Sequence, residues 1–290
     1  PRIMANVLTN LAADIYKAAD VVGRELVGFI PSVTVNGDAV TRAAKGDTIR
    51  SHFTRTPTVS TSFAPAMTIP EGTDQTVDNK TMSVDTYATV QIPWTGEDMK
   101  HVNNGSGFET IYGDQIRQAM RAICNTIELS LFTTAYQGAS RATGTAGTTP
   151  FASTIDVVAD VRKILVDNGC PMDGNVSLVM NTAAGAAMRK LTNLYKVNEA
   201  GGSDMLRQGV LLDLQGLMLR ESAQISQVTK GTGASYLLNG ALAVGATTIT
   251  VDTGSNTILA GDIVTFAGTT DKYVVNTALS GGSFTIGAPG

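Results

Sequence analysis

FETIYGDQIRQAMRAICNTIELSLFTTAY, from Phe108 to Tyr136, is the stretch that decides the fold of this chain. At 3.6 residues per turn it reads as one helix of about eight turns. Its apolar side chains recur along one stripe, whereas Asp114, Arg117 and Glu128 lie off that stripe. The pattern therefore predicts a long amphipathic helix with one buried face. The predicted packing residues are Tyr112, Ile116, Met120, Ile123 and Ile127.

Two runs of alternating apolar and polar residues precede this helix, within residues 47–94. Such alternation is typical of strands with one buried and one solvated face. Residues 64–80, rich in Pro, Gly, Thr and Asp, are predicted to form the tip between the strands. Because a two-stranded ribbon is marginal in water, its apolar face is expected to press on another surface. The candidate contact residues are Phe53, Val59, Phe63, Val84, Val90 and Trp94.

Helical and strand patterns also flank this central region. Residues 9–30 have the spacing of one or two amphipathic helices, and Pro31 ends the pattern. Residues 151–230 alternate between helix and strand, which indicates a compact α/β or α+β unit. Its predicted elements are a helix from a capping box of Ser153 and Asp156 to Asn168-Gly169, a strand at 176–180, a helix capped by Asn181 that reaches Tyr195, a helix at 204–213 and a strand at 217–225.

The composition changes after Lys230, because residues 231–290 carry few charges and many Gly, Thr and Val residues. Short strand patterns separated by turn residues predict a small separate β module, a barrel or sandwich. Gly231 and Gly233 are expected to form a flexible junction before it. The strand patterns lie at 247–251, 262–267, 272–276 and 283–286, and the predicted core is Ile249, Val251, Val264, Phe266, Val275, Phe284 and Ile286.

Composition limits the function classes. With 43% apolar residues the chain is globular, and its net charge of −4, with thinly spread basic residues, argues against sequence-specific nucleic-acid binding. No segment has the apolar length of a membrane span. Cys124 and Cys170 fit packing residues of a reducing compartment.

Few residues suit catalysis or metal binding. Neither His52, on a polar strand face, nor His101, in a loop, accompanies a nucleophile signature. The segment 230–233 lacks the spacing of a glycine-rich phosphate loop. The segment 252–263 does not match a calcium loop, because its twelfth residue is Ile263 rather than Glu. We therefore expect no catalytic residue, no metal and no cofactor.

The order of these elements resembles the major capsid proteins of tailed phages and prophages. It is most similar to short-tailed-phage coat proteins that carry an inserted β domain. The resemblance implies an α+β fold shared with herpesvirus shells: a long spine helix, an extended β-hairpin loop, an axial domain and a small inserted β-barrel. It is carried by MANVLTNLAADIYKAADVVGRELVGFIPSV at 4–33, VQIPWTGEDMKHVN at 90–103, GFETIYGDQIRQAMRAICNTIE at 107–128 and LVMNTAAGAAMRKL at 178–191.

The resemblance also implies a domain organisation. Chains of this kind continue past the inserted domain, so we expect further chain beyond Gly290. The implied parts are an N-terminal helical arm at 1–46, a hairpin loop over a neighbouring subunit at 47–103, a peripheral domain with the spine helix at 104–150, an axial domain at 151–230 and the inserted β domain at 231–290.

The implied function is self-assembly into the pentamers and hexamers of an icosahedral head that encloses DNA. Scaffolding and portal proteins would be partners, and the subunit would pass from the bacterial cytoplasm into the virion. One alternative is a tail-tube or decoration subunit, which the long helix disfavours. Another is a hydrolase with a carbohydrate-binding β module. That enzyme would need convergent carboxylates, and Glu97 and Asp98 look like surface charges instead.

Overall fold

The computed structural model describes residues 26–35, 44–55, 57, 59, 61, 67–68, 74–93, 95–97, 108–196, 211 and 213–288. The chain divides into two compact units, Thr34–Thr89 and the remainder. In chain order the described elements are a single 3₁₀ turn at Ile30–Ser32, β1 Thr48–Thr54, β2 Val77–Ser83, α1 Phe108–Gly138, β3 Arg141–Ala142, α2 Asp156–Asp167, β4 Ser177–Asn181, α3 Thr182–Arg189, α4 Thr192–Tyr195, β5 Met218–Ser222, β6 Leu237–Leu238, β7 Thr248–Asp252, β8 Ile263–Val264, β9 Lys272–Ser280 and β10 Ser283–Ile286.

The smaller unit is built on an antiparallel hairpin of β1 and β2, with Ile49 opposite Met82. The predicted second strand is displaced, because β2 occupies part of the predicted tip and residues 84–93 form no strand. The displacement of the second strand follows from the point at which β1 begins. Before β1 the chain turns at Gly46, whose φ is +96°, so among the described residues no strand lies opposite the chain beyond Val84.

The predicted long helix is confirmed as α1. In its first half the covered face is the predicted stripe, with Ile116 buried and Tyr112, Met120 and Ile123 half-buried. Ile127 corrects the prediction, because its side chain is 42% exposed while Glu128 next to it is fully buried. At about 100° per residue, Glu128 points roughly a third of a turn away from Ile116. The buried face therefore rotates along the helix.

Helices α2 and α3 pack with the parallel pair β4–β5, whose register runs from Ser177–Met218 to Asn181–Ser222. The Asn181 side chain accepts a hydrogen bond from the amide of Ala184 at 2.8 Å, which confirms it as the cap of α3. The capping box at Ser153 is wrong, because the N-cap of α2 is Ile155, without a side-chain bond. The buried core consists of Phe151, Val158, Met180, Ala184, Met188, Leu194, Leu217 and Leu219.

The C-terminal strands form a six-stranded sheet in the order β3-β9-β10-β7-β6, with β8 also paired to β9. All seven predicted core residues lie in it: five are buried, and Val264 and Phe266 are half-buried against them. Among the described strands no pairing joins β6 to β8, so the sheet is open rather than a closed barrel. The strand β3 comes from outside residues 231–290 and pairs Arg141 with Tyr273.

The junction at Gly231 is fixed rather than flexible. Its amide donates to both oxygens of Asp262, at 2.9 and 3.1 Å, and the amide of Gly233 donates to the Thr257 carbonyl at 2.7 Å. A side chain at Gly231 would collide with that same carbonyl. The prediction of a hinge here is therefore wrong, because hydrogen bonds from the amides of Gly231 and Gly233 tie this segment to Asp262 and Thr257 in the loop before β8.

Candidate inter-subunit surfaces and the anchor of the long helix

The hairpin has two chemically different faces. The strand register places Ile49, Phe53 and Met82 on one face together with Ser51, Asp78 and Lys80, while the exposed Val77 lies on the opposite face. Phe53 is 44% and Met82 55% exposed. The other face carries Arg50 and His52 among hydroxyl and amide side chains. Large apolar side chains left as open as Phe53 and Met82 are unusual on a marginal two-stranded ribbon.

The predicted contact residues are spread over this unit and the segment that follows it. Phe53, Val59 and Val90 are exposed, and Val84 is half-buried. Phe63 and Trp94 lie outside the described residues, as does His101. Further exposed apolar side chains, which the alternation pattern did not single out as contacts, are Met67, Val77, Met82 and Tyr87.

Limited proteolysis of unassembled subunits should cut first in residues 55–76, between the two strands of the hairpin. Exposed connections are the preferred sites of nicking, whereas cleavage within β1 or β2 requires the ladder to open first. Mass spectrometry of the earliest fragments locates the cut. First cleavage within α1 or α2 would contradict the assignment.

Glu128 forms a buried polar site on α1 whose carboxylate is satisfied by several hydrogen-bond donors. Its carboxylate accepts hydrogen bonds from three consecutive backbone amides, Gly28 at 2.6 Å, Phe29 at 2.7 Å and Ile30 at 3.0 Å. The hydroxyl of Ser222, itself fully buried at the end of β5, also bonds to it. One carboxylate therefore joins three elements: the segment before the 3₁₀ turn, the long helix and β5.

These contacts decide the ionisation of Glu128. Burial alone raises the pKa of its carboxyl, but the amides of Phe29, Gly28 and Ile30 and the hydroxyl of Ser222 together outweigh burial. The pKa of Glu128 is therefore lower than usual. The site is occupied by a carboxylate at neutral pH and is satisfied by donors rather than by a counter-ion.

Lowering the pH should remove the contribution of the Glu128 carboxylate to stability. A carboxyl whose pKa is depressed by folding stabilises the protein above its unfolded pKa of about 4.3 and loses that contribution as the pH falls through its folded pKa. Glu128→Gln should therefore show less loss of stability than the wild type between neutral pH and acid. Urea midpoints over that range measure it, with Asp114→Asn, an exposed carboxylate on the same helix, as control. Parallel pH curves for Glu128→Gln and the wild type would refute the assignment.

The close approach of the N-terminal segment depends on Gly28. A β-carbon at this position would lie 2.5 Å from Cγ1 of Val179 on β4. Val179 belongs to the sheet face that also carries Arg220 and Ser222. The β4–β5 pair is therefore covered on one face by the helices of its own core, and Gly28 packs against the other.

Aromatic contacts extend along α1 from this anchor to the C-terminal sheet. The ring centroids of Phe29 and Phe132 are 6.0 Å apart, and those of Phe132 and Tyr136 are 5.0 Å apart. Tyr136 packs directly over Gly261 in the turn before β8. On β9, Val275 faces the core of its own sheet, whereas Val274 is buried on the opposite face where β9 contacts α1.

Gly261→Ala should destabilise the protein more than Gly268→Ala. Both glycines have almost the same positive φ, +91° and +92°, so each alanine carries the left-handed penalty of about 1–2 kcal/mol. Only Gly261 faces a neighbour, and overpacking against Tyr136 should add about 1–3 kcal/mol. Urea unfolding of both variants measures the difference. Equal losses would mean that Tyr136 does not hold the sheet against the helix.

A polar cleft of about 460 Å³ lies between α2 and the turn before β9. Its wall includes the ion pair of Lys163 and Asp167, at 2.7 Å, together with Asp160, Asp271 and Arg141. The hydrogen bond that the Lys163 ammonium donates to Asp167 raises the pKa of Lys163. Across the described residues, no group of three His, Cys, Asp or Glu side chains is arranged to hold a metal ion. None of the helices described here is both long and apolar enough to span a bilayer.

The fold is mixed α and β, and it is shared with a phage chain. A solved structure from Mycobacterium phage Che8 aligns with a TM-score of 0.52 over 73% of this chain and 80% of that chain, at 16% sequence identity. At that identity the likeness shows the fold alone. The sequence itself matches no family model and no curated protein.

Proposed function

We propose that this chain is a structural subunit of a phage head, a major capsid protein that assembles with copies of itself. The supporting comparison is the fold shared with a chain of Mycobacterium phage Che8. The supporting sequence feature is the order of the arm, hairpin, spine helix, α/β layer and β module. On this proposal the protein works by binding its own copies rather than by catalysis, and scaffolding and portal proteins are its further partners.

The open face of the hairpin is the observation that carries the proposal. Thr34–Thr89 forms a unit of its own, whose ribbon exposes Phe53 and Met82 on one face. Two strands alone bury too little apolar surface to be stable, so a covering surface is needed. In a closed shell every copy offers the same surface to its neighbour, so one interface repeated many times meets that need.

The long helix of the larger unit is attached to the rest of that unit at two points. The helix α1 is tied near its middle to residues 28–30 and β5 through Glu128. At its end it is tied to the C-terminal sheet through Tyr136. Close packing between α1 and the C-terminal sheet suits a subunit of a container wall, which must resist deformation.

Electron microscopy of the purified chain over a range of concentrations tests the proposal. Closed shells, curved sheets or multilayered heads are expected. Tubes or stacked rings would favour a tail-tube subunit instead. A monodisperse monomer at all concentrations, with activity in a hydrolase screen, would overturn the structural proposal and favour the enzyme alternative.

A further inference from the structure

Residues 26–33 are attached to the body in an unusual way. In this segment only Gly28 is buried; Leu26 is 47% and Val33 41% exposed, and Phe29 and Ile30 are half-buried. Little apolar surface therefore holds the segment down. Its attachment depends on polar contacts, and most of them converge on the single carboxylate of Glu128.

The segment also contacts β4, where Gly28 packs against Val179. The Ala223 amide donates to the Leu26 carbonyl at 3.3 Å, and Phe29 rests on Phe132. The Ser32 hydroxyl donates to the Gly28 carbonyl at 2.6 Å, but this bond lies within the segment and closes its own turn. Opening the segment would thus break one cluster of hydrogen bonds and uncover Val179, which belongs to neither of the two hydrophobic cores.

We propose that residues 26–33 form a latch, closed by Glu128, that opens while the rest of the subunit stays folded. Local opening of this kind occurs where few buried apolar contacts hold a segment and polar contacts dominate. The latch determines whether residues 26–33 are held against the middle of α1. The inference concerns the single subunit and does not depend on the proposed assembly.

Hydrogen-bond donors, rather than neighbouring charges, keep Glu128 ionised and the latch closed at neutral pH. The segment itself has no ionisable side chain between Leu26 and Val33. From β5, Arg220 lies on the same sheet face as Ser222, and Glu221 lies on the other face, paired with Arg189 at 2.6 Å. From α1 itself, Arg121 and Cys124 precede Glu128 by about two turns and one turn.

Protonation of Glu128 should open the latch. A neutral carboxyl accepts hydrogen bonds more weakly than a carboxylate, and its own proton would face the amide donors. The closed state is therefore expected to prevail above the ordinary carboxyl pKa of about 4.3 and to be lost at lower pH.

Native-state hydrogen exchange tests the latch in the wild-type chain at neutral pH. The amides of Gly28, Phe29 and Ile30 should exchange through an opening that depends only weakly on urea. Amides of the core strands, such as Leu219, should exchange with the steep urea dependence of global unfolding. A common steep dependence for both sets would overturn the proposal, and this measurement does not require any variant to fold.

Glu128→Gln tests the role of the carboxylate. Glutamine keeps one carbonyl acceptor but places an amino group where Oε2 faces the Ile30 amide. Exchange of the amides of residues 28–30 should accelerate by roughly tenfold or more, whereas the exchange rates of core amides should change far less. Asp114→Asn, the same change at an exposed position of α1, should leave the segment unaffected. Equal rates at residues 28–30 in the two variants would refute closure by Glu128.

Discussion

Replacing Leu217 with alanine is expected to lower the free energy of unfolding by about 2–5 kcal/mol. Its side chain is only 1% exposed and lies in the core beneath β4 and β5, with Val158 and Met188. That core is already completely enclosed, so the missing methyl groups leave a cavity that neighbouring side chains cannot easily fill. Urea denaturation followed by circular dichroism measures the loss.

Leu237→Ala is the matched control. Leu237 is 60% exposed on β6, so the same change there removes side-chain atoms that water already contacts. Its effect should stay within about 0.5 kcal/mol of the wild type. If both leucine variants lost the same stability, the core assigned to the α/β layer would be wrong.

The local part of this fold could be predicted from the sequence. The apolar spacing of α1, the Asn181 cap and the seven core residues of the C-terminal sheet follow from patterns a few residues long. Such patterns record which face of an element is apolar. They hold wherever the covering surface extends along the whole element, as it does for Val275 and Ile286.

Glu128 shows where that reasoning stops. An acidic residue beside an apolar stripe is usually solvated, and nothing in its own helix announces burial. It is buried because three amides from a segment 98 to 100 residues earlier converge on it. A glutamate flanked by Ile127 and Leu129 on a long helix was the available signal. It could be interpreted only together with Gly28, whose lack of a side chain allows the earlier segment to approach.

Strand pairing was the other feature of the fold that the sequence pattern could not predict. The displaced β2 and the short β3 both depend on a partner that is distant in sequence, so the register follows from the pairing and not from alternation alone. Residues 84–93 alternate well but have no partner strand in the described chain. By contrast Arg141–Ala142, in a loop rich in Gly and Thr, joins the sheet because Tyr273 and Lys272 lie opposite.

Replacing Phe53 and Met82 together with alanine should prevent assembly while leaving the subunit folded. The two side chains lie on the same face of the hairpin and are largely exposed in the single chain, so folding gains little from them. If a neighbouring copy covers this face, each truncation should cost about 1–2 kcal/mol per interface. Two truncations would then raise the concentration needed for assembly by roughly 30-fold to 1,000-fold.

The opposite face of the same ribbon supplies the control, Thr54→Ala with Thr81→Ala. Thr54 and Thr81 lie four ladder positions apart, as Phe53 and Met82 do, so both double variants alter the strands to a similar extent. Light scattering across a concentration series measures the assembly threshold, and urea unfolding of dissociated subunits measures stability. Loss of assembly in the Phe53–Met82 variant alone identifies the apolar face as the interface. An unchanged threshold in that variant, or an equal rise in both, would show that this face does not carry the contact between copies.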